Sequence, residues 1–87
     1  MSNFLENFNS AYRAGVKFIL TDLDLAITFL DVAATSTNSD VALRNHDNAR
    51  TAYTAVVNLL ERLYLDGTQR LEAETKLGTL RARLSLL

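Results

Sequence analysis

The sequence contains no cysteine and no proline, only three glycines and a single histidine. Without cysteine there is no disulfide, no thiolate nucleophile and no zinc–sulfur site, and nothing points to an oxidising compartment. Without proline, and with glycine confined to Gly15, Gly67 and Gly78, few tight turns are available. Long helices are therefore favoured over a meander of strands. One histidine (His46) and two lysines (Lys17 and Lys76) leave no arguable nucleophile arrangement. A carboxylate-bridged di-iron site needs paired Glu-x-x-His segments, and none is present. No glycine-rich loop that could cradle phosphate occurs either.

Charge is balanced rather than one-sided. The formal net charge of −1 gives no basic footprint for nucleic acid or an anionic membrane. The basic residues near the C-terminus are interrupted by Glu72 and Glu74 and lack aromatic neighbours. The most apolar stretch, Val16 to Ala34, carries Lys17, Asp22, Asp24 and Asp31, too many charges for a membrane span. No basic region followed by an apolar stretch opens the chain, so a signal peptide is not expected and a cytoplasmic location is. No cofactor or metal is expected.

What the chain does have is length enough for one folded domain over residues 1–87, with 48% hydrophobic and 22% charged residues. Apolar positions recur at helical spacing in three segments separated by polar or glycine-containing breaks. The fold class expected is all-α, an antiparallel three-helix bundle with a long N-terminal helix that Gly15 can kink. The helices are placed at about 2–35, 40–65 and 68–86. Gly67 is expected to end helix 2 in the left-handed conformation, with Thr68 capping helix 3.

Helix 1 carries Phe8, Tyr12, Gly15, Ile19, Leu23, Ala26, Leu30 and Ala33 on one stripe. Val16, Leu20 and Ile27 flank it on one side; Phe18, Leu25, Phe29 and Val32 flank it on the other. The apolar arc spans roughly 240°, far wider than a surface helix needs. Helix 3 shows only a narrow seam of Ala73, Leu77, Leu80, Leu84 and Leu87. Residues 1–40 hold five acidic against two basic residues, and residues 67–87 two acidic against four basic. Helices 1 and 3 thus have complementary signs, either for packing together or for docking a charged partner.

Several local patterns invite a chemical reading. Phe18-Ile19-Leu20-Thr21-Asp22-Leu23-Asp24 resembles the haloacid-dehalogenase phosphatase signature. That chemistry needs the aspartates at the end of a strand. Here the helical period runs straight through the motif. Asp22, Asp24 and Asp31 lack the glycine and terminal glutamate of a calcium loop. His46-Asp47 lacks the further histidines of a phosphohydrolase metal site. Asp22 falls inside the apolar sector of helix 1. Antiparallel pairing of helices 1 and 2 sets it opposite Tyr53, with Arg50 one turn away, and a buried hydrogen bond or ion pair to one of them is expected.

Asn48-Ala49-Arg50-Thr51-Ala52-Tyr53-Thr54-Ala55-Val56-Val57 resembles one helix of a tetratricopeptide-type hairpin. The three-helix layout also resembles microtubule-interacting-and-transport modules. Both resemblances imply a scaffold that receives a partner helix or peptide in a groove. The functional expectation is a non-enzymatic helical interaction module, adaptor or self-associating bundle, using apolar surface on helix 1. Its interface residues are Phe4, Phe8, Phe18, Leu25, Phe29 and Val32, and a homo-oligomer is expected. The alternative is a small-ligand or effector-binding subunit with a pocket between helices. Fold-back of residues 2–14 is the competing way to cover the wide apolar arc.

Overall fold

The computed structural model describes residues 2–87, except for the side chains of Ser2 and Phe4. It is an all-α, three-helix bundle: α1 Ser2–Thr35, α2 Ser39–Leu60 and α3 Gly67–Leu84. The polar run after α1 works as a cap. The Asn38 side chain accepts hydrogen bonds from the backbone N–H groups of Asp40 (2.9 Å) and Val41 (3.2 Å), satisfying donors that the first turn of α2 leaves open. Asp66 does the same for α3, accepting from Gln69 N–H at 2.9 Å. The α3 cap is thus Asp66 rather than Thr68, and Gly67 is the first helical residue, with no positive φ.

α2 stops at Leu60, five residues before the expected Leu65. The reason lies nine residues after the buried Val56. At about 100° per residue, a continued helix would carry Leu65 half a turn round, onto the outer face. Leaving the helix at Leu60 instead brings Leu65 into the core at 1% exposure. It also frees the Tyr64 carbonyl, which accepts the Tyr12 hydroxyl at 2.6 Å. Gly15 lets the same connection approach closely: a Cβ there would stand 3.0 Å from Leu63 Cδ2. The glycine makes room for a side chain and does not break the helix, so residues 2–14 continue α1 rather than folding back.

The core is a seam of α1 (Val16, Ile19, Leu23, Ala26, Leu30, Ala33) closed by Ala49, Ala52 and Val56 of α2 and Ala73 and Leu80 of α3. Small residues at the α1–α2 contact allow close helix approach. α2 runs antiparallel to α1. α3 runs parallel to α1, as its bonds to Tyr12, Asp24 and Asp31 rise in step along both helices. The molecule measures 55 × 21 × 17 Å, its long dimension set by the 34 residues of α1. Its 15.3 Å radius of gyration exceeds the roughly 12 Å of a compact chain this long. The first ten or so residues of α1 extend about 15 Å past the end of α2.

Gly78 sits exposed in α3 with nothing within 4 Å of an added Cβ. Gly78→Ala removes a helix-interior glycine at no steric cost. It is expected to stabilise the fold by roughly 0.5–1 kcal/mol, read as a higher urea midpoint with an unchanged m-value.

Candidate functional site

The wide apolar arc of α1 is only partly covered. On one flank, Val16 is buried and Leu20 and Ile27 are half-buried. There α3 lies alongside, fastened by Lys76 Nζ to Asp24 (2.7 Å) and Arg83 Nη1 to Asp31 (2.8 Å). The complementary charges of the two helices are used for packing. The bond to Asp24 holds the Lys76 ammonium above its usual 10.5, against the opposing pull of burial, with Glu72 adding to the rise. A raised lysine contributes in full at neutral pH and loses its contribution only as pH climbs through the raised value.

The other flank is open. Phe18 is 49% exposed, Leu25 45% and Val32 42%, and on the extension beyond α2 Phe8 is 62% exposed. Phe29 differs from these: it is half-buried and packs against the core. The side chain of Phe4 lies outside the described residues.

These residues form a continuous series that flank-by-flank reading of the sequence passed over. Phe4, Phe8, Ala11, Gly15, Phe18, Asp22, Leu25, Phe29 and Val32 are spaced 4, 3, 4, 3, 4, 3, 4, 3. That is heptad spacing throughout, apolar or small at every position but Asp22, the pattern of a helix that packs against another along its length. α1 therefore bears two seams, about 100° apart around the helix. The buried one, from Val16 to Ala33, is filled by α2 and α3. The second has only α2 along one edge.

Beside this second seam runs a furrow between α1 and α2. It consists of three depressions in succession. The first, about 670 Å³, lies between Phe8, Tyr12, Leu63 and Tyr64. The next, about 330 Å³, lies between Phe18, Ala55 and Leu59. The last, also about 330 Å³, lies between Asp22, Phe29, Asn48 and Thr51. Arg62 lines the first two and Ala55 the last two, so the three depressions are neighbours along the α1–α2 contact. From Phe8 to Phe29 it is roughly 30 Å long, the length of a twenty-residue helix.

The expected buried polar group is not formed. Asp22 is half-buried, and no polar or charged side chain among the described residues is buried. The Tyr53 hydroxyl accepts from Arg81 Nε at 2.9 Å, and Arg50 reaches Asp47 at 3.4 Å. Asp22 does sit at the predicted level of α2, but against Asn48, Thr51, Ala52 and Ala55. α2 is rotated about its axis so that Ala49, Ala52 and Val56 face α1 and Tyr53 turns toward α3. His46 is half-buried beside Leu30 and Arg83. Among the described residues no three potential metal ligands converge, and no helix is long and apolar enough to cross a membrane. No protein-family model, curated protein or solved structure matches the chain.

Proposed function

We propose that this chain is a cytoplasmic helical interaction module that receives a partner helix along the second seam of α1. The observation that carries the reading is the exposure of Phe8, Phe18, Leu25 and Val32 on one heptad-spaced seam. Isolated apolar side chains on a surface need no explanation. A contiguous stripe bordering a furrow does, because large apolar patches on a soluble chain mark sites of association. Total exposure supports the same reading: the accessible surface is 6060 Å², against about 5,100 Å² expected for a compact monomer of this mass.

Leu25→Asp tests the proposal. Leu25 is exposed on α1 and is not part of the buried core, so the helical circular dichroism should not change. Tagged wild-type chain recovered from its native cells is expected to carry a bound protein chain, its own or another, that Leu25→Asp loses. Equal recovery with both forms would overturn the reading. The depression between Phe8, Tyr12, Leu63 and Tyr64 supports a second reading, a site for a small apolar ligand. Native mass spectrometry that finds a retained small molecule, lost in Tyr12→Ala, would favour it.

A further inference from the structure

We propose that the helix received by the furrow is α1 of a second copy of this chain, laid antiparallel along the heptad seam. This rests on the seam being a docking face, and it names the partner and its direction.

The sizes of the seam residues set the direction. Consider two copies with Phe8 of one opposite Val32 of the other. Ala11 then meets the second copy's Phe29 and Phe18 its Asp22, while Leu25 comes over the Leu63 side chain that fills the Gly15 notch. Phe8, Phe18 and Phe29 each face a smaller side chain, and the two helices overlap over nearly their whole length. Packing that alternates large and small residues fills a helix interface without voids or clashes. The parallel arrangement in register does the opposite. Phe8 would stack on Phe8 and Phe18 on Phe18. Asp22 would also face Asp22 in an apolar layer, where two like charges repel and lack water. Antiparallel, the two carboxylates no longer share a layer and stand one helical turn, about 6 Å, apart along the axis. Each stays in the depression it shares with Asn48 and Thr51, whose amide and hydroxyl are donors.

Charge permits two identical surfaces to meet. Of the acidic residues of α1 only Asp22 stands in the seam: Asp24 and Asp31 lie on the other flank, paired with Lys76 and Arg83. Along the free edge of the seam stand Ala14, Thr21, Thr28 and Thr35, all uncharged. Among the described residues the only charges along the furrow are Asp22 and Arg62, so a highly charged partner helix would find few counter-charges here, whereas a second α1 brings only its own Asp22 to the seam.

The area suffices. With aromatic side chains offering 150–250 Å² and aliphatic ones somewhat less, Phe8, Phe18, Leu25 and Val32 expose on the order of 350 Å² per copy. Two stripes give about 700 Å², and at roughly 60% apolar content this corresponds to an interface near 1,200 Å², the threshold of stable standard-size contacts. The α2 wall of the furrow adds to it. A strict heptad repeat also gives the pair a left-handed wrap.

The absence of cysteine makes the test clean. Ala11→Cys and Val32→Cys are mild changes at exposed sites. In the antiparallel dimer, Ala11 of one copy lies within one helical turn of the second copy's Val32. The two Ala11 positions lie about 27 Å apart and the two Val32 positions about 36 Å. A short bis-maleimide is expected to cross-link a mixture of the two variants and neither variant alone. Sedimentation equilibrium of purified wild type at tens of micromolar should give twice 9.7 kDa. Leu25→Asp, with unchanged circular dichroism, should weaken association at least about 100-fold. Cross-linking of each variant alone would show a parallel pair and overturn the direction. A wild-type mass of 9.7 kDa would overturn the second copy as partner. The docking face itself would still stand if Leu25→Asp lost a different co-purifying chain, and would fall with it if nothing were lost.

Discussion

Leu23→Ala is expected to cost about 3 kcal/mol of stability, the middle of the range for emptying a leucine site in a packed core. Leu23 is 0% exposed in α1, within a core cluster to which all three helices contribute. A domain of this size loses roughly 4–8 °C in midpoint per kcal/mol, so Tm should fall by well over 10 °C. Leu25, two residues along, is the control. It lies on the open seam, and Leu25→Ala in dilute monomer should cost under about 1 kcal/mol. Thermal unfolding at concentrations too low for association measures both. Equal losses at the two sites would mean that the rotation of α1 is wrong and that the second seam is not exposed.

Leu65→Ala is expected to cost about 2–4 kcal/mol although the residue lies in a connection between helices. Loops ordinarily tolerate substitution. Here the α2–α3 connection is held by three contacts: Leu65 in the core, Leu63 against Gly15, and the Tyr12 hydroxyl on the Tyr64 carbonyl. The adjacent Tyr64 side chain is 76% exposed, with the Arg70 guanidinium 5.9 Å from its ring centre. Tyr64→Ala keeps the backbone carbonyl and should cost less than about 1 kcal/mol. Urea unfolding of the pair discriminates. A small loss at Leu65 would return α2 to the longer helix that its period suggests, with Leu65 on the outer face.

The two predictions share a physical theme, the rotation of each helix about its axis. Asp22 illustrates what such rotation changes. The short connection between α1 and α2 fixes which residues lie at the same height, and Asp22 is found at the level of Ala52, as antiparallel pairing requires. Its expected partner Tyr53 is one residue, and thus about 100°, further round. Packing turned that residue toward Arg81. Height along an antiparallel pair follows from chain connectivity. Azimuth follows from which side chains interdigitate best, and here the small Ala49 and Ala52 won the contact with α1 over the larger Tyr53.

The second seam was legible in a limited way. Phe18, Leu25, Phe29 and Val32 stand out as an apolar flank from composition and spacing alone. Phe4 and Phe8 were legible as interface residues too, but their link to that flank through Ala11 and Gly15 was not, because Gly15, Phe8 and Tyr12 also fit the core stripe. One residue can satisfy two helical periods at once. Only the position of α2's end assigns Gly15 to Leu63 and leaves Phe8 free.

By itself the sequence determined that this is an all-α chain of three helices, where its first connection lies, and that α1 is apolar over more of its surface than two partners can cover. Those features are local. Periodicity and the scarcity of proline and glycine act through the backbone within a few residues of where they occur. Tertiary structure decided where α2 ends, which flank of α1 received α3, and hence which flank was left open. Those outcomes depend on competition between side chains far apart in the chain. Leu65 against a continued helix, and Asp24 and Asp31 with Lys76 and Arg83 against the uncharged opposite edge, were settled only when the helices packed.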